Sequence, residues 1–183
     1  MRLVFMVEER SMKELLEVLL PKILPDSMDK PIVIAHNGKS DLAASIPRKL
    51  RAWHIPDDRF IIVHDQDSHE DCKQLKEDLL ALCKDCQHDV MVRIACREME
   101  AWYFGDLAAV SLAYGKDFTT LVDKKKYREP DKIGNPKDEI RKLLPTHQQI
   151  SGAKLIAQHM SIEQNTSPSF NVFIKGVREM AVS

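Results

Sequence analysis

The chain has 183 residues, 44% of them hydrophobic, with 27 basic side chains against 28 acidic ones for a formal net charge of −1. That length and composition suit one sizeable core with at most a small appendage, and the near-neutral total gives no sign of polyanion binding through bulk charge. The four cysteines are too few for a disulfide scaffold, and no segment is apolar for long enough to span a bilayer.

Residues 2–7 read as a buried strand that begins without a charged leader or cleavage site, which sets the expectation of a cytoplasmic protein. Ser11 with Glu14 reads as a capping box opening a helix through Leu15, Leu16, Leu19 and Ile23, kinked by Pro21 and stopped by Pro25. Residues 31–35 form a second apolar run, followed by the turn Asn37-Gly38 and a helix from Ser40 with Leu42, Ile46, Leu50 and Trp53 on one face.

A third strand, residues 59–63, ends in His64-Asp65-Gln66-Asp67, and the helix beyond it spaces Cys72, Leu75, Leu79, Leu82 and Cys83 on one side. The fourth strand, 90–95, runs directly into Arg97 to Phe104. Strands alternating with helices in this way predict an α/β fold, a mostly parallel four-stranded sheet with helices on both faces.

After residue 105 the strand signal stops. Short helices near 106–114, 136–144, 151–159 and 170–181 make a helical C-terminal extension, so the chain divides into a core of 1–105 and an extension of 106–183 packed on it. Asp123 to Pro136, with Lys124, Lys125, Lys126 and Arg128, is the connection expected to be mobile. Residues 1–100 are net acidic and the remainder net basic, the pattern of an acidic site facing a basic surface.

Ligands of parallel sheets bind where the strands end, because loops converge and helix N-termini point there. Glu8 and Glu9 follow the first strand, Asp65 and Asp67 the third, and Glu98 and Glu100 the fourth. Two aspartates one residue apart on an extended turn can aim hard oxygen ligands at one cation, and a glutamate from a neighbouring strand completes a site suited to Mg²⁺ or Mn²⁺. Glu98 and Glu100 lie two apart on an expected helix, so at most one points into the site, with the other solvated or paired with Arg97. Gly38-Lys39-Ser40 lacks the upstream glycine of a phosphate-binding loop, Val33 standing in its place, which excludes nucleotide hydrolysis there. Lys39 is still placed to meet a phosphate or an acid. Cys83, Cys86 and His88 lack a second cysteine pair and read as core packing, and Trp102, Tyr103 and Phe104 read as a helix anchor.

The hydrophobic strand ending in Val7-Glu8, followed later by a hydrophobic strand ending in Asp65-Gln66-Asp67, resembles the TOPRIM domain of topoisomerases, primases and overcoming-lysogenization-defect (OLD) nucleases. A narrower likeness covers nearly the whole chain. Val7-Glu8-Glu9-Arg10-Ser11-Met12, Gly38-Lys39-Ser40-Asp41-Leu42, Asp65-Gln66-Asp67-Ser68, Arg97-Glu98-Met99-Glu100-Ala101-Trp102 and Ser169-Phe170-Asn171-Val172-Phe173 resemble an uncharacterised bacterial TOPRIM-like family. The resemblance implies an association with phage-defence loci and an ATPase partner. It makes Glu8 the general acid/base or a metal ligand, Asp65 and Asp67 metal ligands, and Glu100 an additional acid of the site. In one respect the chain departs from the pattern: Glu9 stands where TOPRIM enzymes usually carry glycine.

The expectation is therefore a Mg²⁺- or Mn²⁺-dependent phosphoryl-transfer protein, a nuclease of bacterial defence. Arg10, Lys39 and the Lys124 to Lys126 run are its expected phosphate or nucleic-acid contacts. A non-catalytic metal-binding module that docks to an ATPase is the alternative. A haloacid-dehalogenase-like phosphatase, with Asp65 as nucleophile and Asp67 as acid, fits less well because that motif belongs after the first strand of its fold.

Overall fold

Residues 3–7 are apolar without alternation, and a strand of that kind needs cover on both faces. The computed structural model, which describes residues 1–182, provides it. β1 (Arg2–Val7) lies inside a four-stranded, all-parallel sheet of order β2-β1-β3-β4, with β2 (Ile32–Ala35) and β4 (Val90–Ala95) at the edges and β3 (Asp58–Asp65) beside β1. Side chains alternate across it: Leu3, Phe5, Val7, Ile61 and Val63 fill one core, and Val4, Met6, Phe60, Ile62 and Val92 the other.

The strand order has a chemical consequence. From β1 the chain moves outward through α1 (Arg10–Ile23) to β2, then crosses back over β1 through α2 (Lys39–Ala52) to β3 and continues through α3 (Cys72–Ala81) to β4. Right-handed crossovers in opposite directions put their helices on opposite faces. Leu15, Leu16 and Leu19 of α1 accordingly join the first core, whereas Leu42 and Ile46 of α2 and Leu75 and Leu79 of α3 join the second. The connections leaving β1 and β3 diverge, and a crevice opens between the two carboxyl ends.

The remaining helices are α4 (Ala101–Phe104), α5 (Leu107–Tyr114), α6 (Pro136–Leu143), α7 (Gln149–His159) and α8 (Pro168–Val182). α7 packs on α1 and α5, and α8 on β4, so the first core runs continuously across residue 105. Lys22 of α1 donates to the carbonyls of Ala157, Gln158 and Met160, occupying acceptors that the C-terminal end of α7 would leave open. Trp102 is fully buried, stacks on Phe173 and donates from Nε1 to Ser169 Oγ at 2.9 Å, while Tyr103 and Phe104 are buried beside it. These three rings are core anchors. Truncating a tryptophan so placed costs roughly 3–5 kcal/mol.

Three local expectations are corrected. α1 begins at Arg10, a residue before Ser11, so Ser11 lies buried inside the first turn and Glu14 pairs with Arg10 and Lys154; no capping box forms. Pro21 lies inside α1, which ends at Ile23 as the apolar pattern predicts. No helix runs on from β4 either: Arg97 takes φ 62°, a left-handed turn that delays α4 to Ala101. The 123–136 connection is wound into 3-10 turns and packed, with Tyr127, Pro130 and Ile133 buried. Tyr127 stacks on Phe104 and donates to Glu139 Oε1 at 2.6 Å. Cys83 is buried in the second core, and both His88 ring nitrogens face backbone carbonyls, those of Asp58 and Trp53.

Asp131, on the same connection, accepts from Ser167 Oγ at 2.5 Å and from the Ser169 N–H at 2.7 Å, holding the first turn of α8. Asp131→Ala is therefore expected to destabilise the protein by about 1–3 kcal/mol. Replacing the exposed Lys124 and Lys125 by alanine is expected to change stability by under about 0.5 kcal/mol. Chemical denaturation of the two variants compares them directly, and an equal loss in both would contradict this picture of the connection.

Candidate functional site

The crevice at the sheet edge is acidic on the β1 and β3 sides. Glu8 directly follows β1 and Asp65 ends β3, so the parallel pairing that sets Val7 against Val63 brings them together. Glu8 Oε2 lies 3.4 Å from the Asp65 N–H and 3.5 Å from His64 Nδ1. The turn after β4 completes the group: the Met99 N–H donates to Asp65 Oδ1 at 3.0 Å, and Glu100 is buried, 1% exposed. Glu8, Glu9, Asp65, Met99, Glu100 and Gln149 line one narrow cleft of about 10 Å³, enough for little more than a water. Glu100 Oε2 is buried with no hydrogen-bond partner.

Asp67 behaves differently from Asp65. It takes φ 52°, its N–H donates to Arg97 O at 2.6 Å, and its carboxylate turns toward Lys39 Nζ at 3.4 Å. Among the described residues Asp67 and Arg97 are the non-glycine residues of positive φ, facing each other across one backbone hydrogen bond beside the acids. Such conformations persist only where the surroundings hold them. Gly38, at φ 90°, opens α2 and donates its N–H to Glu8 O at 3.0 Å, drawing the Lys39 end of α2 to the crevice. That φ favours glycine.

Burial dominates the electrostatics. It raises the Glu8 carboxyl above its ordinary value, with His64 acting in the opposite direction and Asp67 adding to the rise. Asp65 is raised well above the usual carboxylate range, first by burial and then by repulsion from Glu100, Glu8 and Asp67. Glu100 is pushed up to about 7 by burial, against the pull of Lys137. The four acids thus act on one another through space. As positioned, however, they do not converge: among the described residues no group of three or more His, Cys, Asp or Glu side chains is arranged to hold a metal ion. Their oxygen chemistry fits Mg²⁺ or Mn²⁺, and the unpartnered Glu100 Oε2 lies with Glu8 and Asp65 at the cleft. Binding would require carboxylate rotation, Asp67 leaving Lys39 above all.

The expected cations fall into two groups. Lys39 reaches the site through Asp67. Arg10, 72% exposed, faces Glu14, and Lys126 pairs with Glu139 on α6; Lys124 and Lys125 are exposed. Sequence reasoning missed Lys137, the second residue of α6, whose Nζ lies 3.7 Å from Glu9 Oε2 and whose charge is felt by Glu100, Glu9, Glu98 and Asp65. It also missed Gln149, which donates to Glu9 Oε2 at 2.6 Å, and the buried His64. Glu9 is thereby held toward α6 and α7. Glu98 is half-buried and turns to α6 rather than to Arg97: its Oε2 accepts the Lys137 N–H at 2.9 Å, fixing the start of α6. The proximity of His64 to Asp65 was a signal available in the sequence. None marked Lys137, which stands 37 residues beyond Glu100 along the chain.

Fold and site together define an α/β protein with buried acids at the carboxyl edge of an all-parallel sheet. The chain belongs to the family described as Domain of unknown function (DUF4276), which matches residues 7–178 and so takes in every acid of the edge and all of α6. No curated protein and no solved structure matches the chain.

A carboxyl raised from its ordinary 4.5 to about 7 favours the folded state at low pH, and that contribution is lost as pH climbs through this window. Glu100→Gln removes it. In chelator, the stability of the variant relative to the parent is expected to rise by on the order of a few kcal/mol between about pH 5 and pH 8. Thermal or denaturant unfolding across that range measures the difference, and a pH-independent difference would contradict the buried, unbalanced state of Glu100.

Proposed function

We propose that this protein is a Mg²⁺- or Mn²⁺-dependent phosphoryl-transfer protein, acting as a nuclease in bacterial defence. The observation that carries the reading is the cleft lined by Glu8, Asp65 and Glu100, in which a buried carboxylate oxygen of Glu100 has no partner. The TOPRIM resemblance of the segments bearing Glu8 and Asp65-Gln66-Asp67 supplies the reaction class and the link to defence.

In this reading Asp65 and Glu100, with Asp67 or Glu8 rotated inward, hold the cation. When bound, it would supply positive charge for the phosphate and for the leaving oxygen. Glu8 accepts a proton from the attacking water at its carboxylate, one oxygen of which takes the Asp65 N–H, while the His64 ring, whose Nδ1 faces the Asp65 carbonyl, lies beside it. Lys39, released from Asp67, is free to meet a phosphate oxygen from the N-terminal end of α2, where backbone N–H groups also favour an anion. Lys124 and Lys125 extend the contact along a polyanion.

The alternative, a metal-binding module that docks to an ATPase, is favoured by the narrowness of the cleft and by the position of Glu9. Its negative charge at the mouth, held by Gln149 and Lys137, discourages a phosphate backbone. Incubating the protein with plasmid, single-stranded DNA and total tRNA, with and without Mg²⁺ or Mn²⁺, separates the two. The nuclease reading expects metal-dependent cleavage that Asp65→Asn lowers by at least about a hundredfold, together with weaker Mn²⁺ binding by calorimetry and an unchanged fold, because asparagine keeps an acceptor for the Met99 N–H. Metal binding with neither cleavage nor salt-sensitive nucleic-acid binding would reject the nuclease in favour of the module.

A further inference from the structure

α6 brings Lys137 to an acidic crevice, and the way it is held there is specific. Glu98 Oε2 takes the Lys137 N–H at 2.9 Å, and Pro136 begins the helix, so the backbone carrying Lys137 is fixed by the turn that also carries Glu100. Its side chain, 24% exposed, brings Nζ to 3.7 Å from Glu9 Oε2. Glu9, Asp65 and Glu100 line the same cleft, and the orphaned Glu100 Oε2 belongs to it. The ammonium is thus anchored at the mouth of a cleft whose acids repel one another.

We propose that Lys137 is a tethered counter-cation of this cleft, balancing its carboxylates in the metal-free protein and competing with the divalent cation for them. The inference rests on the metal-binding reading above and adds to it the element that sets affinity: α6 of the C-terminal extension. Electrostatics agree in sign, since Lys137 stabilises the charged forms of Asp65 and Glu100 and is itself held protonated chiefly by Glu100 and Glu9, against the effect of burial. A divalent cation brings twice the charge of the ammonium and must work against it. Any segment or partner that moved α6 outward would therefore raise metal affinity without touching a ligand.

Lys137→Met keeps much of the side-chain volume and leaves the Glu98 cap to the backbone N–H, and Lys137→Arg keeps the charge. Mn²⁺ titration calorimetry on the full chain is expected to show roughly tenfold tighter binding in the Met variant, with the Arg variant near the parent. In chelator the Met variant is expected to melt at a lower temperature than the parent, and saturating Mn²⁺ should raise its melting temperature by more than it raises the parent's. Parent binding with unchanged or weaker affinity in the Met variant would overturn the competition while leaving the metal site standing. Absence of Mn²⁺ binding in both proteins would overturn the metal reading, and the competition with it. A Met variant that does not fold is covered by the Arg variant together with Lys137→Gln: tighter binding in Gln but not in Arg supports the proposal, and equal affinities in the two overturn it.

Discussion

Carboxylates taken out of water repel one another strongly, because little solvent remains to screen them. In this protein that repulsion is concentrated at one place, between the ends of β1 and β3, where Glu8, Asp65 and Glu100 are all raised above the ordinary acid range and burial is the first cause in each case. The surroundings answer it with a few groups: the Met99 and Asp65 N–H donors, and the ammonium of Lys137 beside Glu9. One oxygen is left without any. Replacing buried charged groups by well-packed apolar residues is often neutral or stabilising, so acids held in this way are candidates for a functional site.

The scaffold explains how such a cluster is held. Parallel pairing fixes Glu8 against Asp65, and the change of crossover direction between β1 and β3 keeps helices from closing over them. The left-handed turns at Asp67 and Arg97 then divide the acids: Asp65 faces Met99 and Glu100, whereas Asp67 faces Lys39. Two lysines far apart in the chain consequently flank the crevice, each in the first turn of its helix, Lys39 in α2 and Lys137 in α6. The extension is structurally inseparable from this arrangement, since α7 supplies Gln149 to Glu9 and shares one core with α1.

Periodicity was enough to read the α/β class, the parallel sheet and most helix limits, because apolar spacing records burial directly. Glu8 and Asp65 were legible for a different reason, as acids at strand ends, whereas Glu100, five residues past β4, was set apart from Glu98 only by a family resemblance. The local conformation of Asp67 was not: a two-residue spacing predicts a shared direction only while the backbone stays extended, and φ 52° breaks that condition. Ser11 and Glu14 had capping-box spacing but stand two residues too far along, since the N-cap position falls at Glu9. Lys137 escaped notice because its meaning comes wholly from tertiary packing, as does the settled state of the 123–136 connection, where Tyr127, Ile133 and Asp131 outweigh the surrounding lysines. The neutralising partner of a buried acid leaves no mark at a fixed sequence distance.

The divalent-cation site proposed for these acids is tested most directly with Mn²⁺, whose anomalous scattering makes the ion visible. Crystals grown with Mn²⁺ are expected to show one anomalous peak at the crevice, at about 2 Å from oxygens of Asp65 and Glu100, with Asp67 or Glu8 turned in to join them. A peak elsewhere on the molecule, or a crevice without one at saturating Mn²⁺, would contradict the account.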